Sequence, residues 1–387
     1  MCPSTALTTG ECDKIHFMKI AFVGGGTGGH FYPLIAVAEA LQQYPHQPEL
    51  YYFGPEPYEA NTLENLNIKF IWCPAGKLRV YFSIQNFLDI FRTLTGIIVA
   101  IWKLYVIYPD VIFSKGSYTS VPILLAARFL RIPVVIHESD AVPGRANKIA
   151  KKFARYIAVS YPEASQYFDK DKTALIGIPL RRSVLQKYEN PFSVLGIPND
   201  LPLIYVTGGS SGAERINNII LRSLDELLPR YRIFHQTGSA LKDELVLTAR
   251  TLITDSDLQS HYYVQGSIPP ETVSALLEAS SLVITRAGST TLSEIAFHGK
   301  PSIIIPIPED ISRDQRTNAY AYARSGSASV IEEHNLTEGL LTNEINTIIG
   351  SPERWQKMSL ATKDFALPDA AEKVAAILVQ IGTEHES

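Results

Sequence analysis

The sequence predicts an α/β protein: two doubly wound parallel-sheet domains facing a central cleft. Three observations carry this. Short apolar runs alternate with helix-period patterns, as in a parallel sheet covered by helices. A strand running into a small-residue turn and then a helix occurs at 20–30, and the same opening returns from Leu203 to Glu214. Between the halves, the chain after Gly177-Ile178-Pro179-Leu180-Arg181 turns polar and holds Asn190-Pro191 and Pro198-Asn199-Asp200, the composition of a linker.

In chain order, residues 1–18 lack the apolar stretch of a signal peptide. They read as a disordered extension, or as sequence upstream of a true start at Met18. Strands are predicted at 19–24, 50–54, 68–73, 111–114, 133–137, 156–160 and 173–176, making an N-terminal domain of 19–182. The linker is 183–200. A C-terminal domain of 201–364 follows, with strands at 203–207, 231–235, 262–264, 282–285, 302–305 and 328–331. The tail, 365–387, carries an amphipathic helix (Ala371, Val374, Ala375, Leu378, Ile381) expected to pack back towards the N-terminal domain.

Apolar residues make up 46% of the chain, enough for two large cores, and the net charge of −4 gives no global signal for nucleic acid. The 19% charged fraction is low for a soluble enzyme and leaves apolar surface for a purpose. Cys2, Cys12 and Cys73 have neither metal-site nor disulfide spacing, which fits a reducing compartment. No stretch reaches about 18 uncharged apolar residues; the nearest, 95–102, stops at Lys103.

The first loop, Gly24-Gly25-Gly26-Thr27-Gly28-Gly29, opens a helix and ends on His30. Glycine there lets backbone N–H groups approach a phosphate, and His30 has a titration range suited to acid–base work. The glycines also spell a dinucleotide fingerprint, but that reading wants an acid closing the second strand, and Tyr51-Tyr52-Phe53-Gly54-Pro55 has none. A plain tight turn and a structural histidine are the other readings. The second loop, Gly208-Gly209-Ser210-Ser211-Gly212, has the same mechanics with two hydroxyls.

A third segment, Thr285-Arg286-Ala287-Gly288-Ser289-Thr290-Thr291 with Glu294, starts a helix among hydroxyls. It suits a diphosphate, with Glu294 either on a ribose diol or closing a capping box. Asp314-Gln315…Asn318 follows a strand exit, where substrate hydroxyls or a helix cap would be served. Gly116-Ser117-Tyr118 and His137-Glu138-Ser139-Asp140 leave N-terminal strands towards the same crevice. Arg145, Lys148, Lys151, Lys152 and Arg155 form a basic run, either a solvated face or an anion site. In 77–107, Leu78, Tyr81, Phe82, Phe87, Leu88, Phe91 and Trp102 stand among Lys77, Arg79, Arg92 and Lys103, which suits a membrane surface or a core.

Together these motifs closely resemble the MurG family of glycosyltransferases, from about Lys19 to the C-terminal helix. The matching text is Gly25-Gly26-Thr27-Gly28-Gly29-His30 with Pro33, Gly116–Pro122, His137-Glu138, Pro143-Gly144 with Asn147-Lys148, Gly177–Arg181, Gly208-Gly209-Ser210, His235-Gln236-Thr237-Gly238, Arg286–Gly288 with Ser293-Glu294, and Asp314-Gln315 with Asn318-Ala319. The resemblance implies a GT-B fold of two Rossmann-like domains. It implies inverting, metal-independent transfer of N-acetylglucosamine from UDP-N-acetylglucosamine to lipid I (undecaprenyl-diphospho-muramoylpentapeptide), without a cofactor. Further implications are a peripheral location on the cytoplasmic face of the bacterial plasma membrane, an anionic membrane surface and other cell-wall synthesis proteins as partners, and no nucleic acid.

By motif match His30 is the catalytic base. Thr27, Gly28, Gly29, Tyr118, Glu138 and Asn147 line the acceptor side. Arg181, Gly209, Ser210, Gly288, Ser289, Thr290, Glu294 and Gln315 hold the donor, with Thr27, Gly28, Gly29 and Asn147 also in reach of it and the backbone near Ile268 meeting the uracil. Two departures stand out. The family usually has Gln-Asn at Ser139-Asp140 and Gln at Ser211; Asp140 adds a negative charge that wants a cation such as Arg145. Rival readings are a transferase with another lipid acceptor, such as diacylglycerol, and a non-catalytic sugar-nucleotide-binding protein.

Overall fold

The computed structural model describes residues 18–77, 84–208, 213–309 and 313–386. The extension 1–17, the second-loop residues Gly209, Ser210, Ser211 and Gly212, and Leu78, Arg79, Tyr81 and Phe82 lie outside the described residues.

Two parallel sheets form. The first contains β1 (Lys19–Val23), β2 (Glu49–Gly54), β3 (Ile68–Trp72), β4 (Val111–Ser114), β5 (Val134–Glu138), β6 (Tyr156–Val159) and β7 (Thr173–Leu175), in the order β3-β2-β1-β4-β5-β6-β7. The second contains β8 (Leu203–Thr207), β9 (Arg232–Gln236), β10 (Tyr262–Gln265), β11 (Ser280–Thr285), β12 (Ser302–Ile304) and β13 (Ala328–Val330), ordered β10-β9-β8-β11-β12-β13. Each predicted strand is present, with ends shifted by a residue or two. The apolar runs are continuous because both sheet faces are covered. Ile20 and Phe22 pack under the Gly28–Leu41 helix, while Ala21 and Val23 pack in the core on the other face.

In both sheets the strand order reverses beside the first strand, between β1 and β4 and between β8 and β11. Ligands bind such sheets outside the carboxyl ends of the strands at this reversal. Among the described residues the loops there are 24–27, 115–117 and 286–288, with Gly208 following β8.

The segment read as a linker is not loose. Its Pro191–Leu195 helix and Ile197 pack on the C-terminal core, and the Val184 carbonyl accepts from Ser274 Oγ (3.1 Å) and His298 Nε2 (3.0 Å). The chain crosses back after the Pro352–Phe365 helix, where the Phe365 ring meets Tyr161 of the first domain at 5.5 Å and Tyr322 of the second at 4.8 Å. The closing Ala370–Glu386 helix then lies against the Gly28–Leu41 helix through Val374, Ala375 and Leu378.

One helix is unlike the rest. Ile84–Ile107 runs for 24 residues and, from Phe87 on, buries only Asp89, Gly96, Ala100 and Leu104. From Phe87 to Ile107 it is long and apolar enough by length and composition to cross a membrane, although Asp89, Arg92 and Lys103 interrupt the apolar run. Phe87, Phe91, Leu94, Ile98, Trp102 and Tyr105, spaced by three or four, are each more than half exposed along one face.

Candidate active site

The N-terminal wall begins at the glycine loop. Its carbonyl at Gly24 accepts from Tyr52 Oη at 3.0 Å, which seats the loop on β2. A Cβ on Gly25 would stand 2.5 Å from that hydroxyl, and one on Gly24, at φ +144°, would stand 2.8 Å from Lys115 Cβ. A Cβ on Gly28 would likewise stand 2.8 Å from the Tyr32 ring, so packing alone bears on three of the five glycines. Thr27 is the N-cap but gives no side-chain capping bond, and its carbonyl takes the N–H groups of His30 (3.2 Å) and Phe31 (3.1 Å). The N–H groups of Gly28 and Gly29 stand ahead of the first intrahelical bonds, at the positive end of the helix dipole. His30 sits in this first turn. Its Nδ1 is buried with no hydrogen-bond partner. Burial first, then the Lys115 charge, brings the ring down to about 4 against the pull of Asp140, so the imidazole is neutral at ordinary pH.

Behind this loop lies a buried charged cluster. Lys115, at the end of β4, is 2% exposed. Its Nζ donates to His137 Nδ1 at 2.6 Å and to Ser139 Oγ. His137 Nε2 faces the Gly177 carbonyl at 2.7 Å, which assigns the proton to Nε2 and leaves Nδ1 as the acceptor. Burial lowers Lys115 to about 7, opposed by Glu138 and Asp140. Glu138 accepts from the N–H groups of Asp140 (3.1 Å) and Gly144 (3.0 Å) and from Asn147 Nδ2 (2.9 Å). Glu138 and Asn147 are both 3% exposed, so their visible work is shaping the 139–144 loop. The Tyr118 ring lies 3.5 Å from where a Cβ on Gly26 would be.

The C-terminal wall is the start of the Ser289–Phe297 helix, with Gly288 as N-cap and no side-chain cap. Only the Leu292 N–H reaches back to the Gly288 carbonyl (3.0 Å), so Ser289, Thr290 and Thr291 present N–H groups to the cleft. Arg286 is turned away, bonding the carbonyls of Ile305 (3.1 Å) and Pro306 (3.3 Å) and pairing with Glu333. Gln315 Oε1 accepts from the Ala287 N–H at 3.3 Å. The Arg181 guanidinium stacks 3.8 Å above the Tyr32 ring. Its charge opposes the burial that raises Glu294 to about 7, and among the described residues no side chain hydrogen-bonds that carboxylate. Ile268 packs on the cluster that includes Ile295. Of the second motif, His235 is buried between Tyr262 Oη (2.7 Å) and Asn217 Oδ1 (2.9 Å), a structural place.

The two walls meet. A Cβ on Gly29 would lie 3.8 Å from Thr290 Oγ1, so the two bare helix starts face each other with His30 at the junction. Beside them Asp140 Oδ1 accepts from Ser289 Oγ (2.6 Å) and Asn318 Nδ2 (2.8 Å), while Asn318 Oδ1 accepts from the Ala141 N–H (2.9 Å). The expected partner of Asp140, Arg145, is exposed; the carboxylate crosses to the other domain instead. Lys115 and Asn318 were not among the predicted site residues. A lysine wedged between a strand end, Phe113-Ser114, and Gly116 was the available signal. Among the described residues no group of three His, Cys, Asp or Glu side chains could hold a metal ion.

Residues 20–159 match the glycosyltransferase family 28 N-terminal domain, and residues 203–374 match the family 28 C-terminal domain. This chain belongs to glycosyltransferase family 28. Among relatives of the family, one from Bacillus cereus is named UDP-N-acetylglucosamine–N-acetylmuramyl-(pentapeptide) pyrophosphoryl-undecaprenol N-acetylglucosamine transferase 2. It is 35% identical over 87% of this chain and 93% of its own. A similarly named transferase (without the 2) from Treponema denticola is 34% identical over 93% and 95%. The fold is that of Acinetobacter baumannii MurG, with a TM-score of 0.72 at 24% identity over 94% of this chain and 99% of that one. It is also that of a Neisseria meningitidis UDP-GlcNAc 2-epimerase solved with UDP-GlcNAc, at TM-score 0.67 and 16% identity over 94% and 100%. The family's two domains thus supply the two walls of the cleft, and both sheets have the GT-B arrangement.

Proposed function

We infer that this enzyme transfers N-acetylglucosamine from UDP-N-acetylglucosamine to the muramoyl-pentapeptide carried on undecaprenyl diphosphate. The observation that carries the reading is the meeting of the two helix starts, Gly28-Gly29 and Ser289-Thr290, around the unpartnered Nδ1 of His30. Both substrates bear a diphosphate, and a bare helix start suits each. The acceptor's lies at the glycine loop and the donor's at Ser289–Thr291.

Inversion needs one displacement. The acceptor oxygen bonds to the anomeric carbon as the bond to the UDP oxygen breaks. The acceptor proton passes to His30, which burial keeps neutral and ready to take it. The departing diphosphate gains charge, and the dipole and N–H groups of the Ser289–Phe297 helix offset it. Glu294, ionised, accepts from the ribose hydroxyls, with Arg181 favouring its charged form.

The exposed stripe on Ile84–Ile107 lays the enzyme on the membrane that holds the acceptor. Its support is the continuous apolar face with Arg92 and Lys103 at its flanks; Arg145, Lys148 and Lys152 of the same domain are exposed as well.

The test is UDP release from UDP-N-acetylglucosamine with a lipid I analogue and with a diacylglycerol acceptor. Release with the first alone is expected, and a folded enzyme that turns over neither would sink the reading. Flotation on phosphatidylglycerol vesicles should fall when Phe87 and Trp102 are changed to Ser; unchanged flotation would remove the stripe from the argument.

A further inference from the structure

The buried cluster behind the glycine loop holds more charge than the chemistry above uses. Lys115 is almost wholly out of water, its ammonium form favoured by Glu138 and then Asp140 against burial, and its Nζ donates to His137 Nδ1 and Ser139 Oγ. The carboxylate of the very next residue, Asp140, reaches into the other domain and ties Ser289 to Asn318. Asn318 Nδ2 also donates to Ser289 Oγ at 2.9 Å, so these three side chains form a closed knot at the first residue of the donor helix. A carboxylate beside a diphosphate site is a liability unless a cation balances it, and a buried lysine without an anion is equally costly. The departure at Ser139-Asp140 thus has one explanation: Ser139 holds the lysine, and Asp140 joins Glu138 in balancing its charge.

We propose that Lys115 is a positioning residue for the transfer reaction, its buried ammonium acting through Asp140 to hold the Asp140–Ser289–Asn318 knot that joins the domains over His30. Groups facing Lys115 are His30 from the glycine-loop helix and His137, Glu138 and Asp140 from the end of β5 and its loop. Removing the cation leaves Asp140 unbalanced, and the knot loosens. Removing both takes out one charge of each sign and leaves Glu138 with its own amide donors, and the Oδ1 of an asparagine can still accept from Ser289. The donor helix then keeps its place. The proposal rests on the transferase reading for its kinetic readout, but not for its binding readout.

The experiment is a double-mutant cycle with Lys115→Met, Asp140→Asn and the pair, each checked for folding by its melting transition. Both kcat/KM and the Kd for UDP-N-acetylglucosamine, by calorimetry without acceptor, are measured. Each single change is expected to lower kcat/KM by about 30-fold and weaken donor binding, with the pair recovering at least about tenfold over either. Additive losses in the pair would overturn the proposal, as would Lys115→Met with unchanged constants, since a lysine that only fills space has no reason to depend on residue 140. If Lys115→Met does not fold, the comparison of Asp140→Asn with the pair decides: greater activity in the pair supports the coupling, equal or lower activity removes it. If the wild type binds donor but transfers to no acceptor, the transferase reading fails while the cycle on Kd still judges Lys115.

Discussion

The helix starts at Gly28 and Ser289 occupy equivalent places in two similar sheets, each at the reversal of strand order. Neither has a side-chain cap, so both offer backbone N–H groups to the cleft. They differ in what surrounds those groups. The first is bare glycine with exposed Thr27 and Gly29, and its one functional side chain, His30, has an idle buried nitrogen. The second is hydroxylated, and Ser289 is already engaged by Asp140 from the opposite domain. On the proposed function, one architectural element presents the base in one copy and holds the donor's diphosphate while bridging the domains in the other. The difference is made by a handful of side chains laid on the same backbone.

If the division of labour is correct, His30→Ala strikes the chemical step alone. We expect kcat to fall by about a thousandfold with the donor KM within a few fold, the size of a lost general base. Retained kcat would place the base elsewhere.

Glu294→Gln tests the other wall. In the wild type, the carboxylate becomes ionised as pH rises through about 7, because burial holds its proton. Donor KM should therefore improve from pH 6 to pH 8, and the variant should lose this dependence while binding about tenfold more weakly at pH 8, the scale of a charged hydrogen bond. A pH profile shared by both proteins would separate Glu294 from the donor.

Thr290→Ala removes a hydroxyl from the meeting point while keeping the backbone N–H. Its expected cost is about fivefold in donor KM, within the range of one neutral hydrogen bond, with kcat little changed. A loss in kcat instead would mean that the two walls do not divide the work. Tyr52→Phe should have the smallest effect, a loss of about 1 kcal/mol in unfolding free energy from the missing bond to the Gly24 carbonyl, read by denaturant titration. A larger loss confined to activity would show the glycine loop to be held mainly by that contact.

Much was legible in the sequence because it is local. Each strand is a short apolar run between turn residues, and fully buried sheets need no alternation to betray them. The small-residue turns at 24–29 and 286–291 and the placement of His30 and Glu294 follow from the same local grammar. Glu138 and Asn147 were legible as important but not as to where their polar atoms point, since their partners are loop amides and each other. Lys115 was passed over because a single lysine after a strand has no pattern. The long helix did not read as one apolar run because Asp89, Arg92 and Lys103 interrupt it.

By itself, then, the sequence determined two doubly wound sheets, their glycine and hydroxyl turns, and the family to which they belong. Local propensity and unbroken apolar runs suffice for that. Only the tertiary structure decided which turn faces which, that Asp140 is answered across the cleft by Ser289 and Asn318, and that Lys115 lies buried against His137 and Ser139 among the Glu138 and Asp140 carboxylates. Those pairings join residues as far apart as 140 and 318, and only the packing of one domain on the other brings them into contact.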